Sequence, residues 1–145
     1  YEISNFAQPG LEALHNRKYW QLKPYLGLGA GAHSFDGTRR WSNIIEAEEY
    51  RQKVERGEPP IAECCALSAT DRAEEFFFLG LRQRQGVSLD HARRLLAGVA
   101  LDPWEKKLQR LTCEGWVVER GGWYSLSDAA LLVSNEIFEQ LLVPI

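Results

Sequence analysis

The chain has 145 residues, 45% hydrophobic and 26% charged, the balance of a globular protein rather than a disordered one. Its longest apolar stretches, Phe76 to Leu79 and Ala129 to Val133, are far too short to span a membrane, and no basic segment followed by an apolar run marks a signal peptide. The net charge of −3 divides into +1 over residues 1–57 and −4 over residues 58–145, and an acidic second half argues against general binding to a phosphate backbone.

Tyr1 to Asn5 reads as the end of a strand, and Gln8-Pro9-Gly10 as a turn. Glu12 to Gln21 reads as a short helix. Tyr25 to Phe35 then looks like a buried strand running into a loop, with glycines at 27, 29 and 31 allowing close approach of another backbone or of a ligand. Asp36-Gly37 is a turn, Arg39 to Asn43 is extended, and a helix starts near Glu46. Glu58-Pro59-Pro60 breaks that helix, because Pro cannot continue a helix interior, and places a domain boundary between residues 57 and 58. Beyond it, Ser68 to Asp71 opens a helix, Ser88 opens a second and Asp102-Pro103 a third, with Asp as the N-cap. Trp116 to Leu126 reads as a hairpin turning at Gly121-Gly122, and Asp128 caps a last helix. Three helices, a hairpin and a closing helix predict a winged-helix-like arrangement within an α+β, mainly helical protein.

The densest chemistry lies in His15-Asn16-Arg17-Lys18-Tyr19-Trp20. On a helix His15 and Tyr19 share one face, and Asn16 and Trp20 share another. A neutral imidazole can ligate a metal, haem iron included, and aromatic rings pack against flat rings. An amphipathic helix with core aromatics and a hydrogen-bonded histidine is the plainer alternative. Gly27 to His33 matches neither a dinucleotide fingerprint nor a P-loop. It reads equally as backbone exposed to an adenine or amino-acid moiety and as glycines for tight packing, and His33 beside it has no visible partner. Lys106, Lys107 and Arg110 could touch phosphate, but Asp102, Glu105 and Glu114 offset them, which favours a structural or protein-contact role over DNA reading. Cys64, Cys65 and Cys113 have neither disulfide nor zinc spacing and fit a reducing cytoplasm. The missing Met and the start at Tyr1 predict a piece of a longer protein.

Tyr1 to Ala7, Pro9-Gly10, His15-Asn16, Tyr19-Trp20 and Tyr25 to Ser34 closely resemble the HemW family, radical-SAM proteins similar to oxygen-independent coproporphyrinogen III oxidase, HemN. The resemblance continues through Glu75 to Arg82 and Gly86-Val87 and ends in Leu132 to Phe138. It implies the end of a radical-SAM α/β barrel over residues 1–57 and a winged-helix-like HemN C-terminal domain over residues 58–145. It implies haem binding at His15, Asn16, Tyr19 and Trp20, with His15 as metal ligand. It implies an S-adenosylmethionine contact at Gly31, Ala32 and His33. The [4Fe–4S] cluster of such a parent needs a Cys-x-x-x-Cys-x-x-Cys motif that this sequence does not contain. The functions implied are haem chaperoning, with an acceptor haemoprotein as possible partner, or radical decarboxylation of a porphyrinogen. An interaction module without catalysis is the third reading. Ser127 to Ala130 departs from the family's usual residues after the hairpin.

Overall fold

The structure is a computed structural model describing residues 1–142. In chain order its elements are α1 (Leu14–Trp20), β1 (His33–Phe35), β2 (Arg39–Asn43), α2 (Ala47–Glu55), β3 (Ile61–Ala66), α3 (Ala69–Leu81), β4 (Val87–Ser88), α4 (Leu89–Leu95), α5 (Asp102–Cys113), β5 (Val117–Arg120), β6 (Trp123–Leu126), a 3₁₀ turn (Ala129–Val133) and α6 (Ser134–Leu142). They fall into two compact units: residues 23–68, and residues 1–22 together with the chain from Ala69 onward. Gly57 to Pro60 does end α2, but the chain then forms β3 and remains in the smaller unit until Ser68. The last three positions of the expected 58–145 division lie outside the described residues.

The smaller unit is an antiparallel sheet in the order β1-β2-β3, with Trp41 opposite Ser34 on one side and Cys64 on the other. Its first turn forms at Asp36-Gly37 as expected. The Asp36 carboxylate accepts from the N–H groups of Arg39 (2.7 Å) and Thr38 (2.8 Å) and from the Thr38 hydroxyl (2.9 Å), and these bonds hold its carboxyl well below the usual range. Instead of a buried strand from Tyr25, only His33–Phe35 is a strand, and Leu26 and Leu28 are exposed. Gly29 and Gly31 take φ of +105° and +69°, which turn the chain out of any extended run. No closed barrel is present among the described residues.

The larger unit has the winged-helix-like form. Helices α3, α4 and α5 enclose Phe77, Leu81, Leu108 and Leu111, and α6 closes the same core with Ile137, Phe138 and Leu141. Burying each such side chain stabilises the fold by roughly 1.5–3 kcal/mol. The ring of Trp104 stacks on Phe77 at 5.8 Å and 11°. The hairpin β5–β6 turns at Gly121-Gly122, both with positive φ, the geometry of a tight two-residue turn. Val87-Ser88 adds a third strand, giving the order β4-β6-β5. Ser88 caps α4 by accepting from the His91 N–H. Leu101, rather than Asp102, is the N-cap of α5, with Asp102 inside the first turn. Asp128 stands at the N-cap position of the 3₁₀ turn, but its side chain makes no capping bond and instead pairs with Arg84 at 2.9 Å.

Lys107, counted among the possible phosphate contacts, faces the core. It is 6% exposed, and its ammonium donates to the Leu141 carbonyl at 3.0 Å. Burial pushes its pKa down, and the charge of Glu74 opposes that shift. The helical period of α5 explains this: Lys107 lies three residues after Trp104 and four before Leu111, on the buried face. No helix among the described residues is long and apolar enough to cross a membrane.

Candidate functional site

Helix α1 is a seven-residue segment with none of its residues buried. Such a short helix has little stability of its own and needs tertiary anchors. His15 and Tyr19 come together as the four-residue spacing requires. The Tyr19 hydroxyl lies 2.9 Å from His15 Nε2, and the rings meet edge to face at 5.1 Å. His15 is exposed, Tyr19 half-buried.

Trp20, expected beside them as a packing group, is directed to the body of the larger unit. Its Nε1 is buried, the Arg82 guanidinium lies 4.7 Å above its ring, and the Gln83 side-chain amide donates to its carbonyl at 3.3 Å. Arg82 also reaches Glu2 at 3.5 Å, and the Glu2 side chain is completely buried. The other Glu2 oxygen accepts from the Ser4 N–H at 2.8 Å and from the Asn5 side-chain amide. Backbone bonds join Ile3 to the Arg82 carbonyl and Arg84 to the Tyr1 carbonyl, both at 3.1 Å. The end of α3 thus fastens both Tyr1–Asn5 and the end of α1. Arg82, Gln83 and Glu2 were absent from the sequence-based candidates. The four-residue period shows neighbours along a helix, whereas Glu2 and Arg82 stand 80 positions apart. Beyond Trp20 the helix stops: Leu22 takes a left-handed φ of +51°, and Lys23-Pro24 follows.

The expected S-adenosylmethionine contact, Gly31, Ala32 and His33, lies in the smaller unit. The Gly31 N–H donates to the Ile44 carbonyl at 2.9 Å and the Ala32 N–H to the Gly29 carbonyl at 3.3 Å. The Asn43 amide donates to the Gly29 carbonyl at 2.9 Å, and the Gly29 N–H donates to the Tyr50 hydroxyl at 3.1 Å. A Cβ at Gly27 would stand 2.2 Å from the His33 carbonyl oxygen, so this glycine permits the approach of another backbone. His33 is exposed. Cys64, Cys65 and Cys113 are free and exposed, and among the described residues no three His, Cys, Asp or Glu side chains converge as a metal site.

The larger unit is a three-helix body with a small antiparallel wing, joined by the short N-terminal helix α1. Residues 67–133 match the model of the HemN C-terminal domain, and the larger unit carries it. Over the portion that bears this domain, the chain is similar to heme chaperone HemW sequences. It is 33% identical over 143 residues to the heme chaperone HemW of Bacillus subtilis (strain 168), covering 98% of this chain and 38% of that protein. It is 29% identical over 143 residues to the heme chaperone HemW of Lactococcus lactis, covering 99% of this chain and 37% of that protein. It thus spans less than two fifths of the length of these relatives. Among solved structures, the coproporphyrinogen III oxidase HemN of Escherichia coli, titled a radical SAM enzyme, superposes with a TM-score of 0.62 at 19% identity. The superposition covers 82% of this chain and 28% of that one, and it is a likeness of fold.

Proposed function

We propose that the chain serves haem binding and transfer within a HemW-like haem chaperone. The parent would be a cytoplasmic radical-SAM protein, carrying S-adenosylmethionine and a [4Fe–4S] cluster, that hands haem to an acceptor haemoprotein. Residues 1–57 would derive from its barrel domain and residues 58–145 from its C-terminal domain, with residues 1–22 packed here on the chain from Ala69 onward. The chaperone names of the relatives support this reading. The observation that carries it is the His15–Tyr19 pair, an imidazole and a phenol within hydrogen-bond distance on a helix with no buried residue. Both are haem-iron donors, so the donor set fits the cargo. Exposed Phe6, Leu11 and Leu14 lie in the same segment and supply apolar surface for a macrocycle. Asn16 would orient it, and Trp20 would act by anchoring α1.

The residues present do not fit an iron–sulfur cluster. Cys64 and Cys65 lie on β3, Cys113 ends α5, and no group of metal-ligating side chains surrounds them among the described residues. The cluster would belong to another part of the parent, and the contact at Gly31, Ala32 and His33 with S-adenosylmethionine would serve that part. The reading is tested by titrating ferric haem into the chain and following the Soret band. His15→Ala/Tyr19→Phe together should weaken binding at least about tenfold. An isotherm and a spectrum unchanged in the double variant would remove α1 from the site.

A further inference from the structure

We propose that the larger unit carries a small-molecule site of its own, a cavity between α3 and α5 that takes a compact, uncharged aromatic molecule bearing a hydroxyl, of the class of phenols. The cavity has a volume of about 380 Å³, at the small end of ligand pockets. Thr70 and Glu74 of α3, Val99 of the α4–α5 connection, and Pro103, Trp104 and Lys107 of α5 line it. All of them belong to one compact unit. The core holds the wall in place, because Trp104 is buried and its ring stacks on Phe77.

Two polar groups of this wall make no hydrogen bond among the described residues, and they need opposite partners. The half-buried Glu74 carboxylate bonds to no donor and acts on Lys107 through its charge. Trp104 Nε1 is buried without an acceptor. Lys107 needs no ligand, since the Leu141 carbonyl accepts from its ammonium. A carboxylate only accepts and an indole N–H only donates, whereas a hydroxyl does both. Its proton can go to Glu74 while its oxygen accepts from the indole. Charge excludes ionic ligands. An ammonium group would set a second cation beside Lys107, and a carboxylate a second anion beside Glu74, each stripped of water against an apolar wall. A neutral molecule disturbs neither charge. Val99, Pro103 and the Trp104 ring supply apolar surface for its body, and a rigid ring loses little freedom on binding.

The test titrates phenol, toluene, benzylamine and benzoate into the full chain and follows backbone and indole N–H signals by two-dimensional NMR. Phenol should shift the Trp104 indole N–H and the Val99 and Ala100 amides, and should bind at least about tenfold more tightly than each of the other three. Trp104→Phe should keep a ring in the wall and narrow the preference for phenol over toluene. Glu74→Leu should abolish that preference. Ala100→Trp keeps the test decisive if Glu74→Leu folds poorly: Ala100 is exposed at the cavity, and the larger side chain there should block phenol in a folded protein. Equal affinity for phenol and toluene overturns the proposal, because the hydroxyl would then have no partner. Tighter binding of benzylamine or benzoate overturns it in favour of an ionic ligand. Phenol shifts that persist in Ala100→Trp put the binding elsewhere, and no shifts at the highest phenol concentration the fold tolerates remove the site. The haem reading stands or falls separately from each of these results.

Discussion

Arg82 meets three neighbours at once: the buried carboxylate of Glu2, the indole face of Trp20, and the Ser4 hydroxyl at 3.4 Å. Replacing it by Met keeps much of the stem but leaves a carboxylate in the interior without its counter-charge. Arg82→Met should therefore lower stability by about 3 kcal/mol, measured by urea denaturation. Arg82→Lys should recover part of that, because the charge remains while the flat face over Trp20 is lost. If Met is tolerated without cost, the Glu2–Arg82 contact is not what fastens the segment. At this scale the sequence was legible where neighbours are close in the chain. The His15–Tyr19 pair and the Asp36-Gly37 turn follow from spacing and residue type. Arg82 was legible only as one more cation at the end of a helix, and Lys107 only as a charge, because a long side chain can turn inward to a carbonyl.

The helix α3 packs closely on the first strand of the wing at Gly80. A Cβ there would stand 2.2 Å from a Val87 methyl group, and Val87 is itself 2% exposed. Gly80→Ala should destabilise the chain by about 2 kcal/mol through overpacking, despite the better helix propensity of Ala. Adding Val87→Ala should restore part of the loss, and thermal denaturation of both single variants and the double variant would show the coupling. Strictly additive losses would mean that α3 relaxes away from β4 by another route. The main helices and the Gly-Gly hairpin were readable because period and turn chemistry agree. Two strands were not. Val87-Ser88 is too short for any alternation, and Ile61–Ala66 is exposed at every position, so burial leaves no pattern in its sequence.

For the molecule as a whole, residues 1–22 belong with the chain from Ala69 onward although 46 residues of another unit intervene. Deleting residues 1–22 should accordingly lower the denaturation midpoint of the HemN-type unit, since Arg82 loses both Glu2 and Trp20. An unchanged midpoint would show that the N-terminal segment contributes nothing to it. This partition was the least legible feature, because Gly57 to Pro60 punctuates the sequence more strongly than the unit boundaries near Leu22 and Ser68 do.

The contact between Glu2 and Arg82 also sets an order in time. During synthesis α1 leaves the ribosome before α3, and the arginine that seats it is made 80 residues later than its glutamate partner. Until then α1 has no anchor and, at seven residues, little helicity of its own. A nascent chain therefore cannot present the His15–Tyr19 pair in its final setting before the winged domain has begun to form.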